Sequence, residues 1–132
     1  MTIALAPLFA AVVIGGAAAM LVLQRRHQRQ LVGRTVSGAP SGPAILYFSG
    51  AACAVCHTAQ RPALDRLQSA TDGNPPVHEI DVLAEPEIAR RYRVMSLPTT
   101  IVLDHAGRAV AINTGLATST QLREQLAKAG LD

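Results

Sequence analysis

The sequence predicts an α/β domain of element order β-α-β-α-β-β-α, with a mixed sheet and helices on both faces, preceded by one transmembrane helix. Three observations predict it. Residues Thr2 to Gln24 carry no charged side chain and are rich in Ala, Val, Leu and Ile. From Ala44 onward, short apolar runs of strand length alternate with amphipathic stretches of helical period. Two cysteines, Cys53 and Cys56, sit where the first such run gives way to the first amphipathic stretch.

The N-terminal run divides the chain into three parts: an anchor helix over 1–24, a linker over 25–43 and a globular domain over 44–132. As a helix the stretch from Thr2 to Leu23 spans roughly 33 Å at about 1.5 Å per residue, enough to cross an apolar bilayer core of about 30 Å. Pro7 falls near its start, and Gly15 and Gly16 are ordinary in a membrane helix. A cleaved signal peptide is the competing reading. It calls for a basic leader and a small-residue cleavage site, and the run instead ends in Leu21-Val22-Leu23-Gln24-Arg25-Arg26. The sequence therefore favours a retained, single-pass anchor. Arg25, Arg26, Arg29 and Arg34 follow it, with no Lys or Arg before it. By the positive-inside rule this places the domain on the cytoplasmic face.

The linker is basic, then rich in Gly, Ser and Pro from Ser37 to Pro43, with Leu31 to Val36 as a candidate short edge strand. Ala44-Ile45-Leu46-Tyr47-Phe48 reads as a buried strand between Pro43 and Ser49-Gly50. Cys53 to about Ala70 reads as a helix with Val55, Ala59, Leu64 and Leu67 largely on one face, stopped by Asp72-Gly73-Asn74-Pro75-Pro76. Val77 to Val82 is a second strand, Glu85 to Tyr92 a short helix with Pro86 in its first turn, and Thr99 to Leu103 a third strand. A loop over Asp104-His105-Ala106-Gly107 leads to a fourth strand from Arg108 to Asn113. Thr118-x-x-Gln121 has the pattern of a capping box, opening a last helix that carries Leu122 and Leu126 and ends at Gly130. The first two strands, joined through a helix, are expected to pair in parallel by a right-handed crossover, and the last two as an antiparallel hairpin.

Charge excludes one class of function. The formal net charge is +3, from 12 basic and nine acidic residues. Setting aside the four arginines behind the anchor leaves eight basic against nine acidic. A nearly neutral domain offers no electrostatic footprint for nucleic acid.

The two cysteines lie too close in sequence to constrain an unfolded chain, so their chemistry is the better reason for their presence. A cysteine at a helix start meets free backbone N–H groups and the positive end of the helix dipole. Both favour the thiolate, lower the cysteine pKa and raise its reactivity at neutral pH. Cys56, one turn later, is within reach for a disulfide. Cys53 is thus the expected nucleophile and Cys56 the resolving thiol of a thiol–disulfide exchange, which needs no cofactor.

Beyond the cysteines, the segment Ile80-Asp81-Val82, then Glu85 through Thr100, resembles the thioredoxin stretch that runs up to and through its cis-proline. Pro98 matches that proline and Thr99 the threonine after it. The resemblance covers about Ala44 to Leu131, with Gly107 and Gly115 where thioredoxins place glycines, and implies a minimal thioredoxin-like domain. It implies that the Leu97–Pro98 bond is cis and packs beside the cysteine pair. It also implies that the backbone of Leu97 binds substrate chain as an added strand, with Leu97 and Pro98 as substrate-binding residues. The implied activity is that of a protein-disulfide reductase, or thiol–disulfide oxidoreductase, acting with an electron donor or acceptor. Membrane-tethered relatives of this kind often work on the extracytoplasmic face, the alternative to the cytoplasmic placement. This chain departs from the thioredoxin pattern in several places. Ala52 stands for the usual Trp, Ala54-Val55 for the usual Gly-Pro, and Tyr47 for the buried carboxylate that assists proton transfer to the resolving cysteine. Pro62 comes one position later than the helix-kinking proline.

Two other readings follow from the same residues. Cys53-Ala54-Val55-Cys56-His57 also spells a c-type haem attachment motif, with Met95 as a conceivable distal ligand, although a haem protein has no need of the flanking strand or of Leu97-Pro98-Thr99. A non-catalytic binding subunit of a membrane complex is the alternative of a different class. His57 is a residue for tuning the thiolate by its positive charge, a substrate contact, or an ordinary exposed helix residue. Two cysteines and one adjacent histidine fall short of a four-ligand zinc site. Met95 reads as packing near the proline loop, Tyr47 and Phe48 as core, and Arg90, Arg91 and Arg93 as a solvated face.

Overall fold

The computed structural model describes residues 5–32 and 38–131 and divides the chain into two compact units, residues 1–30 and 31–132. The first unit is one helix, α1, Leu5–Leu31. Its stretch Leu5–Arg26 is long and apolar enough to cross a membrane. The side chains of Leu8, Phe9, Val12 and Ile14 are all exposed. In water such exposure costs about 25 cal/mol per Å² of apolar surface, which a lipid phase removes. The helix does not stop where its side chains turn polar at Gln24 but continues past Arg25 and Arg26 to its last turn, where Arg29 complements the negative end of the helix dipole. Leu31 closes this helix instead of opening an edge strand. Val32 follows as an exposed turn residue, and the rest of that expected strand, 33–36 with Arg34, lies outside the described residues.

The second unit is built on a four-stranded mixed sheet of order β2-β1-β3-β4. β1 (Ala44–Ser49) pairs in parallel with β2 (Val77–Asp81) and antiparallel with β3 (Thr99–Leu103), which pairs antiparallel with β4 (Ala109–Thr114). β1 is central and buried at all its positions, which is why its sequence is a continuous apolar run and not an alternating one. Its side chains still alternate between faces. Leu46 and Phe48 join Ile80, Ala89, Tyr92, Ile101 and Leu103 in one cluster, under the short helix α3 (Pro86–Arg91). Ile45 and Tyr47 join Cys56, Leu64, Leu67, Val102, Leu122 and Leu126 in the other, under α2 (Arg61–Ala70) and α4 (Ser119–Lys128). Helices therefore cover both faces.

Local chemistry fixes the element ends. The carboxylate of Asp81 accepts the N–H groups of Leu83 and Ala84 at 2.8 and 3.2 Å, turning the chain at the end of β2. A bulge between Val102 and Leu103 absorbs one residue of the β3–β4 pairing. The Thr118 capping box forms in both directions, with the Gln121 N–H on the Thr118 hydroxyl at 3.1 Å and the Thr118 N–H on the Gln121 side chain at 3.0 Å. Replacing Thr118 with Ala strands one of these donors. It is expected to cost about 1 kcal/mol, read as a lower midpoint in urea unfolding with an unchanged slope.

Candidate active site

The chain leaves β1 at Ser49, turns through Gly50, Ala51 and Ala52, and enters a helix that runs over residues 54–70. The turn is closed by the Cys53 N–H, which donates to the Gly50 carbonyl at 3.0 Å. Cys53 is the last residue before the helix. Its sulfur accepts the N–H of Cys56 at 3.2 Å, the bond an N-cap side chain makes to the third helical residue. The sulfur therefore stands at the positive end of the helix, where a negative charge is stabilised. Cys53 and Cys56 form a disulfide, with Cα atoms 5.3 Å apart. The two sulfurs are unequal in access: Cys53 is half-buried, while Cys56 is fully buried in the core cluster with Tyr47 and Leu64. The burial of Cys56 and its disulfide to Cys53 argue against the haem-attachment reading, which needs both sulfurs turned to a porphyrin edge.

The Leu97–Pro98 peptide bond is cis, as the sequence implied. Pro98 is buried and Leu97 half-buried, with Leu97 packed against both core clusters. A side chain on Gly50 would have its Cβ 3.0 Å from a Leu97 methyl, so Leu97 lies directly against the turn that delivers Cys53. The loop is pinned twice. The Thr99 hydroxyl donates to the Ser96 carbonyl at 2.8 Å, and the N–H of Gly115, in a left-handed conformation at φ 88°, donates to the Pro98 carbonyl at 2.8 Å. Met95 departs from expectation: it is 69% exposed and does not pack near the proline loop. The loop turns it out to solvent while Leu97 takes the packed position.

His57 is exposed, and its ring Nε2 lies 3.2 Å from the Gly50 carbonyl, a bond it makes as a donor. It ties the helix to the end of β1, a contact the sequence did not indicate. Among the described residues, no group of three or more His, Cys, Asp or Glu side chains converges to hold a metal ion.

The profile of the thioredoxin family matches residues 27–128. The chain belongs to the thioredoxin family. Its fold is similar to that of thioredoxin-2 of the malaria parasite, described as a component of protein secretion machinery. That match has a TM-score of 0.63 and 25% identity, and covers 74% of this chain and 95% of that one. It is also similar to a thio-disulfide isomerase from Thermus thermophilus, with a TM-score of 0.60 and 28% identity over 70% of this chain and 82% of the other. Thioredoxin 1 of Thermosipho africanus shares the fold at a TM-score of 0.56 and 22% identity, over 64% of this chain and 91% of that one.

Within the family, two departures of this chain acquire structural reasons. The late Pro62 is accommodated by a π-helical segment, Cys56–Gln60, in which the Arg61 N–H reaches back five residues to the Cys56 carbonyl. Such a turn holds one residue more than an α turn, so the helix resumes in register at the proline. Gln60 in that segment is fully buried. Its amide donates to the Ala117 carbonyl at 3.0 Å and its oxygen accepts the Ala117 N–H at 2.9 Å, clamping the segment to the chain before α4. Tyr47 stands where the family has a carboxylate, and a carboxylate is present on the neighbouring strand instead. Glu79 pairs with Tyr47 across the β1–β2 ladder, forms an ion pair with Arg61 and accepts the Ser49 hydroxyl at 2.8 Å. The hydrogen bond from Arg61 is the largest influence on Glu79. Together with the Ser49 hydroxyl and the charges of Arg61 and His57, it holds the carboxyl below its ordinary value despite partial burial. A glutamate on a half-exposed strand and a glutamine inside a helix both read as solvent-facing in sequence, so neither Glu79 nor Gln60 was singled out there.

Two outcomes follow. Gln60→Leu keeps volume but strands both Ala117 groups, and is expected to destabilise by roughly 1–3 kcal/mol per stranded group in chemical denaturation of the oxidised protein. For Glu79, the folded pKa lies below the unfolded one, so its stabilisation is present above the unfolded value near about 4.3 and is lost as pH falls through the folded value. The stability gap between wild type and Glu79→Gln is therefore widest near neutrality and closes below about pH 4 in a pH series of urea titrations.

Proposed function

We propose that this protein is a membrane-anchored thiol–disulfide oxidoreductase that exchanges the Cys53–Cys56 pair with disulfides of protein substrates. The observation that carries the reading is the unequal pair itself: an accessible sulfur at a helix N-terminus and a buried sulfur one turn behind it. Reduction of a substrate then runs in two steps. The Cys53 thiolate attacks one sulfur of the substrate disulfide; that bond breaks, a mixed disulfide forms at Cys53, and the departing substrate thiolate takes up a proton. Cys56 gives up its proton and attacks the Cys53 sulfur. This closes the Cys53–Cys56 disulfide and releases the second substrate thiol, so two electrons have passed to the substrate. A dithiol donor restores the reduced pair; the reverse sequence, with an electron acceptor, oxidises substrates.

Leu97 and Pro98 form the substrate platform in this reading. The Leu97 side chain abuts the Gly50 turn next to Cys53, which supports a role for its backbone in pairing with an extended substrate segment. His57 is the tuning residue: when protonated it adds a positive charge beside Cys56. In this reading α1 is the anchor, and the arginines at its C-terminal end support a cytoplasmic position for the domain by the positive-inside rule.

The reading is tested by turbidimetric insulin reduction with dithiothreitol. Wild type is expected to accelerate precipitation, Cys53→Ser to fall to the uncatalysed rate, and Cys56→Ser to accumulate a mixed disulfide visible on a non-reducing gel. Equal rates for wild type and Cys53→Ser would leave a binding subunit as the surviving interpretation. A C-terminal reporter fusion active only on the cytoplasmic side is the expected topology result.

A further inference from the structure

The buried face of β1 carries a group that the exchange reaction, as described, does not use. Tyr47 is 1% exposed, and its hydroxyl donates to the Cys56 carbonyl at 2.7 Å. The same carbonyl receives the Arg61 N–H across the π turn, so both of its lone pairs are engaged. The Arg61 guanidinium lies 5.7 Å from the centre of the Tyr47 ring, over its face, and is held there by Glu79. Glu79 is held in turn by the Ser49 hydroxyl. Strand β1, strand β2 and the helix thus converge, through four side chains, on one carbonyl oxygen.

We propose that Tyr47 is a positioning residue for the redox pair, its hydroxyl holding the backbone of Cys56 so that the Cys56 N–H points at the sulfur of Cys53. Residue 56 carries both bonds. Its carbonyl is held by Tyr47, and its N–H is the donor 3.2 Å from the Cys53 sulfur. A hydrogen bond to sulfur strengthens when the sulfur becomes a thiolate, because the acceptor is then charged. Whatever fixes the donor therefore stabilises the reduced, ionised form more than the disulfide. Without the hydroxyl, the carbonyl keeps only the Arg61 bond, so the Cys56 backbone loses its tie to β1 and its N–H is aimed less firmly at the sulfur. Tyr47 itself stays neutral: burial, then the nearby Glu79 charge, raise its pKa, with Arg61 opposing. It acts by geometry and not as a proton carrier. This role rests on the oxidoreductase reading, which supplies the thiolate that Tyr47 serves.

The test uses the full-length chain in detergent micelles, comparing wild type, Tyr47→Phe, Glu79→Gln and Tyr92→Phe. Tyr92 is the control: it is buried against Phe48 on the opposite face of β1, and its hydroxyl has no partner among the described residues. Two quantities are read: the acid dissociation constant of the Cys53 thiol, from thiolate absorbance or alkylation rate against pH, and the equilibrium constant with glutathione. Tyr47→Phe is expected to lower the thiol's acid dissociation constant roughly three- to tenfold. The glutathione equilibrium should shift by a similar factor toward the disulfide, a potential about 14–30 mV more negative at about 30 mV per tenfold. Glu79→Gln, which frees Arg61 but keeps the hydroxyl, is expected to give a smaller shift of the same sign, and this arm stands if the Tyr47 variant does not fold. Tyr92→Phe is expected to leave both constants at wild-type values. A Tyr47→Phe protein that loses stability with neither constant changed would reduce the residue to a core filler and overturn the proposal, as would an equal shift in Tyr92→Phe. The thiol titration needs no substrate, so it still reads Tyr47 if insulin reduction fails in wild type.

Discussion

The site depends on one constraint: Cys56 is anchored, side chain and backbone, in the hydrophobic core. Its side chain is fully buried among Tyr47, Leu64 and Leu122, its carbonyl is bonded to Tyr47, and its N–H is turned to the Cys53 sulfur. The reactive turn is therefore set by the same packing that holds the sheet together, and not by a loop free to choose its own conformation. Cys53 inherits its place at the helix N-terminus from the residue three positions behind it. An anchored turn of this kind delivers the helix dipole and the free N–H groups to the same sulfur in every molecule, which preorganisation requires.

Around that turn the chain meets a local irregularity with a matching clamp. An extra residue between Cys56 and Pro62 forces a π-helical turn, whose backbone bonding is poorer than that of an α turn. The buried amide of Gln60 compensates by bonding both backbone groups of Ala117, fifty-seven positions away. Ala117 lies two residues after Gly115, which holds the carbonyl of Pro98. The helix start, the proline loop and the segment before α4 are thus joined by three hydrogen bonds across elements that are remote in sequence.

Most of the architecture was legible from the sequence because its signals are local. A continuous apolar run predicts a central strand, Thr118 and Gln121 predict a cap, and Cys53-x-x-Cys56 with Leu97-Pro98-Thr99 points to the family and to the cis bond, all of which the structure contains. What was not legible depends on which strand lies beside which. Glu79 matters because β2 pairs with β1 in a register that sets it opposite Tyr47, and nothing in either segment states that register. Gln60 lies four residues from both Cys56 and Leu64 on the buried face of the helix, but its role depends on Ala117, fifty-seven positions away, which no local signal names. Met95 was expected to pack because it neighbours the proline loop, yet the loop's own bonds turn it outward. The end of α1 was placed at Gln24 because polarity changes there, whereas backbone helicity has no reason to stop at a run of arginines.

Burying one sulfur and leaving its neighbour half-open also bears on oxidative damage. A peroxide arriving from solvent meets Cys53 first, and the product of that encounter is a sulfenic acid. Cys56, shielded from the oxidant yet within bonding distance, condenses with that sulfenic acid, expels water and returns the pair to the disulfide before further oxygen is added. The same asymmetry thus favours return to the disulfide over further oxidation wherever the second thiol is in place.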